Sequence, residues 1–125
     1  MSLSDTAKKA AHAVGAHRIT TRPSTATVRV LGADGVVLAE SSRAIELDET
    51  GLPTRYYLPR EDVRTDLLSP SATTSHCPWK GDATYFSAPG TTDAFWVYEA
   101  PSEEDAKPVA GLLAPWPGRV EVEVS

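Results

Sequence analysis

Aromatic side chains are absent from the first 55 residues of this 125-residue chain, and cysteine is nearly absent throughout. The single cysteine, Cys77, excludes an intrachain disulfide and any zinc site built from several cysteines. Basic residues are outnumbered, since 12 Lys and Arg against 17 Asp and Glu give a formal net charge of −5. Nucleic-acid binding is therefore not expected, because binding along a phosphate backbone depends on excess positive charge.

Long apolar runs are lacking as well. No window approaches the roughly 18 apolar residues that a membrane-spanning helix needs. The basic N-terminal stretch contains an apolar segment at residues 10–15, but that segment is too short and too polar for the core of a targeting peptide. Together with the single cysteine, these absences predict a cytoplasmic protein without a membrane partner.

Length and composition predict one domain preceded by an arm. A chain of 125 residues with 41% hydrophobic residues is long and apolar enough for one compact core. Residues 1–18 carry almost no large apolar side chain, so we assign them to a flexible arm. Residues 19–125 are assigned to a single β domain.

Alternation of apolar and polar residues predicts strands over most of the chain after the arm. Val28 and Val30 alternate with polar neighbours ahead of a Gly-Ala-Asp-Gly turn at residues 32–35, which predicts a β-hairpin. Helix is predicted only at residues 59–64 and at a capping sequence, residues 102–105, that a proline soon interrupts. Further strands are predicted at residues 43–48, 55–58, 83–88, 94–99 and 119–124. The expected fold is mostly β, with two packed antiparallel sheets or a partly open barrel and one or two short helices.

One predicted strand carries charges on its apolar face. A period of two places Arg43 and Glu49 on the same side as Ile45 and Leu47. Burying a charge is costly unless the charge is paired. Two interpretations stay open: side chains at the strand ends that reach solvent or pair with each other, or a partly buried polar site that orients a ligand.

Residues 73–82 form the densest chemical stretch, which we interpret as a loop that displays binding residues ahead of a strand. The pattern T-x-x-C-P-W-K-G-x-A-x-Y occupies residues 74–85, with Y-Y-x-P-x-x-D-V at residues 56–63 and W-x-Y-x-x-P at residues 96–101. In order and spacing, these three motifs resemble the bacterial domain-of-unknown-function family 427 (DUF427). The resemblance covers roughly residues 19–124 and implies a small, mostly antiparallel β domain without an established activity.

The DUF427 family also carries a nucleotidyltransferase-like label. The sequence has no glycine-rich phosphate loop and no close Asp-x-Asp pair to hold two metal ions. Asp62 and Asp66 are the most closely spaced aspartates, and their helical spacing indicates a solvated face. We therefore predict no metal site, and the cofactor stays unassigned.

A small-molecule binding domain is the first of three function classes. Its polar groups would be Arg43, Glu49 and Lys80, which leave the site net positive, so the expected ligand is a small anion held by Arg43. Glu49 and Lys80 are also the acid–base candidates. The apolar walls would come from four aromatic residues, namely Tyr57, Trp79, Tyr85 and Trp96.

Two other classes are alternatives. Cys77 could serve a thiol enzyme if His76 and Lys80 favour its thiolate, although a lone cysteine beside proline and tryptophan is more often a small buried hydrophobe. A protein-interaction or structural module is the third class, because Trp and Tyr are frequent at interface hot spots. A homodimer is one candidate assembly for such a module.

Overall fold

The computed structural model describes residues 17–125, which form ten β-strands and four short 3₁₀-helices. The predicted arm lies outside the described residues, except for residues 17 and 18. The strands are β1 (Ile19–Pro23), β2 (Val28–Leu31), β3 (Val37–Ser41), β4 (Ile45–Glu49), β5 (Arg55–Tyr57), β6 (Ser69–Cys77), β7 (Gly81–Ala88), β8 (Thr91–Tyr98), β9 (Leu113–Pro115) and β10 (Glu121–Val124). The 3₁₀-helices span Ala33–Gly35, Arg60–Asp62, Thr65–Leu67 and Glu104–Val109.

These strands pair into three antiparallel sheets. Sheet A has the order β1-β4-β5, sheet B the order β10-β2-β3, and sheet C the order β6-β7-β8-β9. The predicted mostly β, antiparallel class is confirmed, with three sheets in place of two and without barrel closure among residues 17–125. Within that range, no helix is long and apolar enough to cross a membrane.

Sheets A and C meet edge to edge at a junction that we call the seam. Leu58, directly after β5, and Leu113 of β9 exchange both backbone hydrogen bonds, at N···O distances of 2.8 and 2.9 Å. Both leucine side chains are completely buried. The seam therefore brings side chains of β4 and β5 alongside those of β7 and β8.

The apolar interior divides into two clusters, and β8 serves both. Phe95 and Val97 pack into the first cluster, with the valines of β2, whereas Trp96 and Tyr98 belong to the second. Successive side chains of a strand point to opposite faces, so one strand supplies two cores. The second cluster also contains Leu47 and lies beside the candidate site.

The strand predictions are largely confirmed, but one segment is wrong. Residues 73–82 were expected to form a loop, whereas β6 runs to Cys77 and β7 begins at Gly81, which leaves a turn of three residues. The signal was weak because β6 is rich in Ser and Thr and is an edge strand, exposed along most of its length. The short strands β1 and β9 were also missed. Both predicted helices are 3₁₀ turns.

Candidate functional site

A cavity of about 280 Å³ opens where sheets A and C meet. One wall comes from the β4–β5 hairpin, with Leu47, Glu49 and Arg55. The facing wall comes from the β6–β7 turn, β7, β8 and the residue after β9, with Lys80, Tyr85, Trp96, Tyr98 and Trp116. Leu52, Pro53 and Pro117 complete the lining. The cavity therefore combines aromatic walls with three charged groups.

Glu49 and Lys80 form a buried ion pair in the lining of this cavity. Their exposed fractions are only 7% and 8%, and Lys80 Nζ donates to Glu49 Oε1 at 2.6 Å. The second carboxylate oxygen, Oε2, accepts a hydrogen bond from His17 Nε2 at 2.9 Å. Burial by itself raises the pKa of Glu49, but the bonds from Lys80 and His17 outweigh it and hold the pKa below its usual value. Glu49 is therefore a carboxylate at neutral pH.

The tight β6–β7 turn positions Lys80 for this pair. The Lys80 backbone is fixed on both sides, since its N–H donates to the Cys77 carbonyl and its carbonyl accepts from the Ser102 N–H, both at 3.3 Å. Gly81 follows with φ of +99°, and a Cβ there would lie 3.2 Å from the Ala100 carbonyl oxygen. Only glycine fits this backbone without strain, so the Lys-Gly pair of the motif has a geometric reason.

Trp96 is part of the aromatic wall, and its ring is held in place by its neighbours. Its Nε1–H donates to the hydroxyl of Tyr57 at 3.1 Å. Tyr57 is completely buried, which raises the pKa of its hydroxyl well above the ordinary value, so this acceptor stays neutral. The Trp96 ring also stands nearly perpendicular to the rings of Tyr57 and Trp116, at 86° and 87°.

Arg55 supplies a cation that has no acidic partner in residues 17–125. Its guanidinium carbon lies 5.9 Å from the centre of the Trp96 ring, and none of the described carboxylates forms an ion pair with it. Arg55 stands opposite Leu47 in the β4–β5 pairing, which turns it toward the cavity. Sequence reasoning missed this residue, although the pairing of residues 43–48 with residues 55–58 as a hairpin could have revealed it.

Arg43 was predicted to hold the anion beside Lys80, but its side chain lies outside the lining of this cavity. Its side chain is 59% exposed, and Nη2 lies 3.0 Å from Asp62 and 3.4 Å from Glu61, outside the lining of the cavity. The physical reason is that β4 begins only at Ile45, so the period-two argument does not extend back to Arg43. For Glu49, the same argument correctly placed a charge on the apolar side.

Residues 20–125 match the family model of the domain of unknown function DUF427. The chain belongs to the DUF427 family. The resemblance drawn from the three motifs is thus confirmed, and no curated protein matches the chain. Because the family description assigns no activity, function has to be argued from the geometry.

All three motifs of this DUF427 domain contribute to the cavity or to its support. Residues 74–85 supply Lys80 and Tyr85, and residues 96–101 begin with Trp96. Residues 56–63 contain Tyr57, which supports Trp96 without lining the cavity. Trp79 also lies outside the lining, where it stacks on His17 with ring centres 3.8 Å apart.

Cys77 of the DUF427 domain is partly buried against the second apolar cluster. His76 precedes it in β6 and therefore points to the opposite face, where Nδ1 hydrogen-bonds with Asp82 at 2.7 Å. Lys80 is engaged with Glu49. His76 is therefore turned away from the thiol, and the Lys80 ammonium is already paired with a carboxylate.

The two carboxylates considered for metal binding each form an ion pair with an arginine. Asp62 pairs with Arg43, and Asp66 pairs with Arg64. Across residues 17–125, no group of three or more His, Cys, Asp or Glu side chains is placed to hold a metal ion.

Proposed function

We propose that this DUF427 domain binds a small organic anion in the cavity between sheets A and C. The observation that carries the proposal is the guanidinium of Arg55, which lines an aromatic cavity without an acidic partner in the described part of the chain. A guanidinium matches a carboxylate through two parallel hydrogen bonds. Arg55 thus takes the role that the sequence suggested for Arg43.

The balance of charge in the cavity supports an anion over a cation. Lys80 and Glu49 neutralise each other across 2.6 Å, so Arg55 leaves the lining net positive. The whole chain has a formal net charge of −5, so this positive site is a local departure from the average. A concave site of one sign attracts ligands of the opposite sign.

The lining also has the composition of a small-molecule site. Ligand sites are concave and mostly apolar, with a few polar groups that fix orientation. Here Tyr85, Trp96 and Trp116 form the walls, and the polar groups are Arg55 and the ion pair. Glu49 and Lys80 remain the acid–base candidates, because they are the paired acid and base in the lining.

A thermal-stability screen of small carboxylates tests the proposal. A ligand that binds only the native state raises the unfolding temperature with its concentration. We expect Arg55→Gln to abolish the stabilisation given by any carboxylate that stabilises the parent protein. Arg43→Gln is the matched control, since Arg43 is an arginine outside the cavity, and this variant should respond like the parent. An unchanged response of Arg55→Gln would rule out the assigned anion partner.

A protein-interaction role is a second candidate, favoured by one observation. β6 is nine residues long, mostly exposed, and an edge strand of sheet C that pairs only with β7 among the described strands. Edge strands can accept a further strand through backbone hydrogen bonds. Substituting proline for Thr74 in the middle of β6 should then abolish a complex that Arg55→Gln leaves intact, as measured by size-exclusion chromatography.

A further inference from the structure

Two tryptophans in the cavity form a rigid right-angled corner. The rings of Trp96 and Trp116 are 87° apart, with their centres 6.3 Å from each other, and both residues line the cavity. The hydrogen bond to Tyr57 fixes Trp96, so its ring cannot turn without losing a partly buried hydrogen bond. This half of the corner is therefore set before any ligand arrives.

Trp116 is held from its own side. The guanidinium carbon of Arg119 lies 4.0 Å from the centre of the Trp116 ring, and this guanidinium also donates to the Thr92 carbonyl at 3.0 Å. Tyr85 approaches the same indole with a centre-to-centre distance of 5.7 Å, and its hydroxyl shares a hydrogen bond with Ser75 at 2.8 Å. The second half of the corner is thus also restrained by neighbours.

A right-angled corner of aromatic rings discriminates between flat and saturated ligands. A flat ring that lies parallel to one indole is perpendicular to the other, so it can stack on the first and meet the second edge to face. Both arrangements are favourable for aromatic pairs, because the rim of a ring is positive and its faces are negative. A saturated ring of the same size is thicker and lacks this charge distribution.

The charge of the lining limits the anion. Arg55 is the cation in the lining that has no acidic partner among residues 17–125, and Lys80 is committed to Glu49. One guanidinium without a counter-charge neutralises a monoanion completely and a dianion only in part. The guanidinium carbon of Arg55 also lies over the Trp96 ring, 5.9 Å from its centre, which places the charge next to the corner.

We propose that the ligand is an aromatic monocarboxylate, with its ring in the corner between Trp96 and Trp116 and its carboxylate on Arg55. This inference rests on the proposed function and narrows it to one chemical class. Benzoate is the simplest probe of that class.

Isothermal titration calorimetry with four probes tests the assignment. The full chain is titrated with benzoate, with cyclohexanecarboxylate of equal charge, with neutral benzamide and with dianionic phenyl phosphate. Two aromatic contacts predict that benzoate binds roughly tenfold more tightly than cyclohexanecarboxylate. Benzamide has no carboxylate and so cannot form the charged hydrogen bond. Its affinity should therefore be lower than that of benzoate by roughly tenfold or more.

Variants assign the two halves of the ligand to their partners. Arg55→Gln should remove the preference for benzoate over benzamide, and Arg43→Gln should keep it. Trp116→Leu should remove the preference for benzoate over cyclohexanecarboxylate. If Trp116→Leu does not fold, ring-current shifts of benzoate protons on binding to the parent protein provide the same test, and large upfield shifts are expected.

Three outcomes overturn the inference. Equal affinities for benzoate and cyclohexanecarboxylate would show that the ligand need not be aromatic, although the proposal of anion binding would still hold. Tighter binding of phenyl phosphate than of benzoate would show that the site prefers a dianionic phosphate ester to a monocarboxylate. If none of the probes binds and the carboxylate screen also stays negative, the proposed function fails together with the inference.

Discussion

The side chains of Glu49 and Lys80 are almost completely buried, yet both line the cavity between sheets A and C. Each charge lowers the burial cost of the other, and His17 satisfies the second carboxylate oxygen. The pair therefore has a structural role in addition to any role toward a ligand. Removing Lys80 alone would leave the Glu49 carboxylate buried with only its hydrogen bond to His17, and removing Glu49 alone would leave the Lys80 ammonium buried without an acid.

Lys80→Met should accordingly lower the free energy of unfolding by about 3 kcal/mol, the usual loss when one partner of a buried pair is removed. The double variant Lys80→Met with Glu49→Gln should recover part of that loss, because no buried charge is left over. Urea denaturation provides both values. The control is Lys107→Met, which breaks an exposed pair with Glu104 and should change stability little. Equal effects of the two lysine substitutions would contradict a buried pair.

The pH dependence of stability has a defined sign at Glu49. Its pKa in the folded protein lies below the ordinary 4.5. The contribution of this carboxylate to stability is therefore complete above pH 4.5 and is lost as the pH falls through the lowered folded-state pKa. We expect Glu49→Gln to flatten the acid side of a plot of unfolding free energy against pH.

A salt control separates Glu49 from surface carboxylates. Asp66 also has a lowered pKa, through its exposed hydrogen bonds with Arg64. Exposed charges are screened strongly by salt, and buried ones much less. At an ionic strength of about 1 M, the screening length falls to about 3 Å. Under these conditions Asp66→Asn should have little effect on the slope of unfolding free energy against pH on the acid side, whereas Glu49→Gln should keep its effect. Loss of both effects would mean that Glu49 is solvated.

For single residues, the sequence predicted which types of side chain lie near the cavity better than it predicted which side chains they contact. The position of Glu49 followed from strand periodicity, because period two depends only on local backbone geometry. Its pairing with Lys80, 31 positions away, depends on how sheets A and C join, which no local pattern contains. The choice of Arg43 over Arg55 had a different cause, because the period-two argument was extended back past Ile45, where β4 begins.

The three-residue turn between β6 and β7 has strict backbone requirements. It reverses the chain, fixes Lys80 and continues into a strand that lines the cavity. Gly81 permits this with a positive φ and a close approach to Ala100. The motif was recognised from the sequence, but the turn was not, because β6 has too few apolar residues to show a period of two.

Gly81→Ala should be more destabilising than Gly118→Ala. Both glycines have a positive φ, +99° and +96°, so alanine costs about 1 kcal/mol or more at each from backbone strain. Only at Gly81 would the new Cβ also meet backbone atoms, those of Ala100 and Ser102, whereas nothing lies within 4 Å at Gly118. Chemical denaturation of the two variants isolates the contact contribution as their difference. Equal losses would show that the neighbouring backbone yields freely.

For the whole molecule, composition and strand periodicity predicted the mostly β class. They did not predict how the strands divide into three sheets. Strand alternation shows which side of a strand is buried but not which strand is its neighbour. β8 illustrates the limit, since its alternate residues serve two different clusters and it is therefore buried on both faces. The cavity depends on that arrangement and was for this reason only partly predictable.

The seam has a consequence for the time scale on which the cavity exists. The amide hydrogens of Leu58 and Leu113 are locked in two reciprocal bonds inside the protein, so they can be replaced by deuterium only when sheets A and C part. Parting would also separate the two walls of the cavity. Saturating benzoate should therefore slow deuterium uptake at both leucines more than at Val30 in sheet B, as followed by two-dimensional NMR. Equal slowing at all three amides would mean that the sheets separate only when the whole chain unfolds, and that the cavity persists as long as the native state itself.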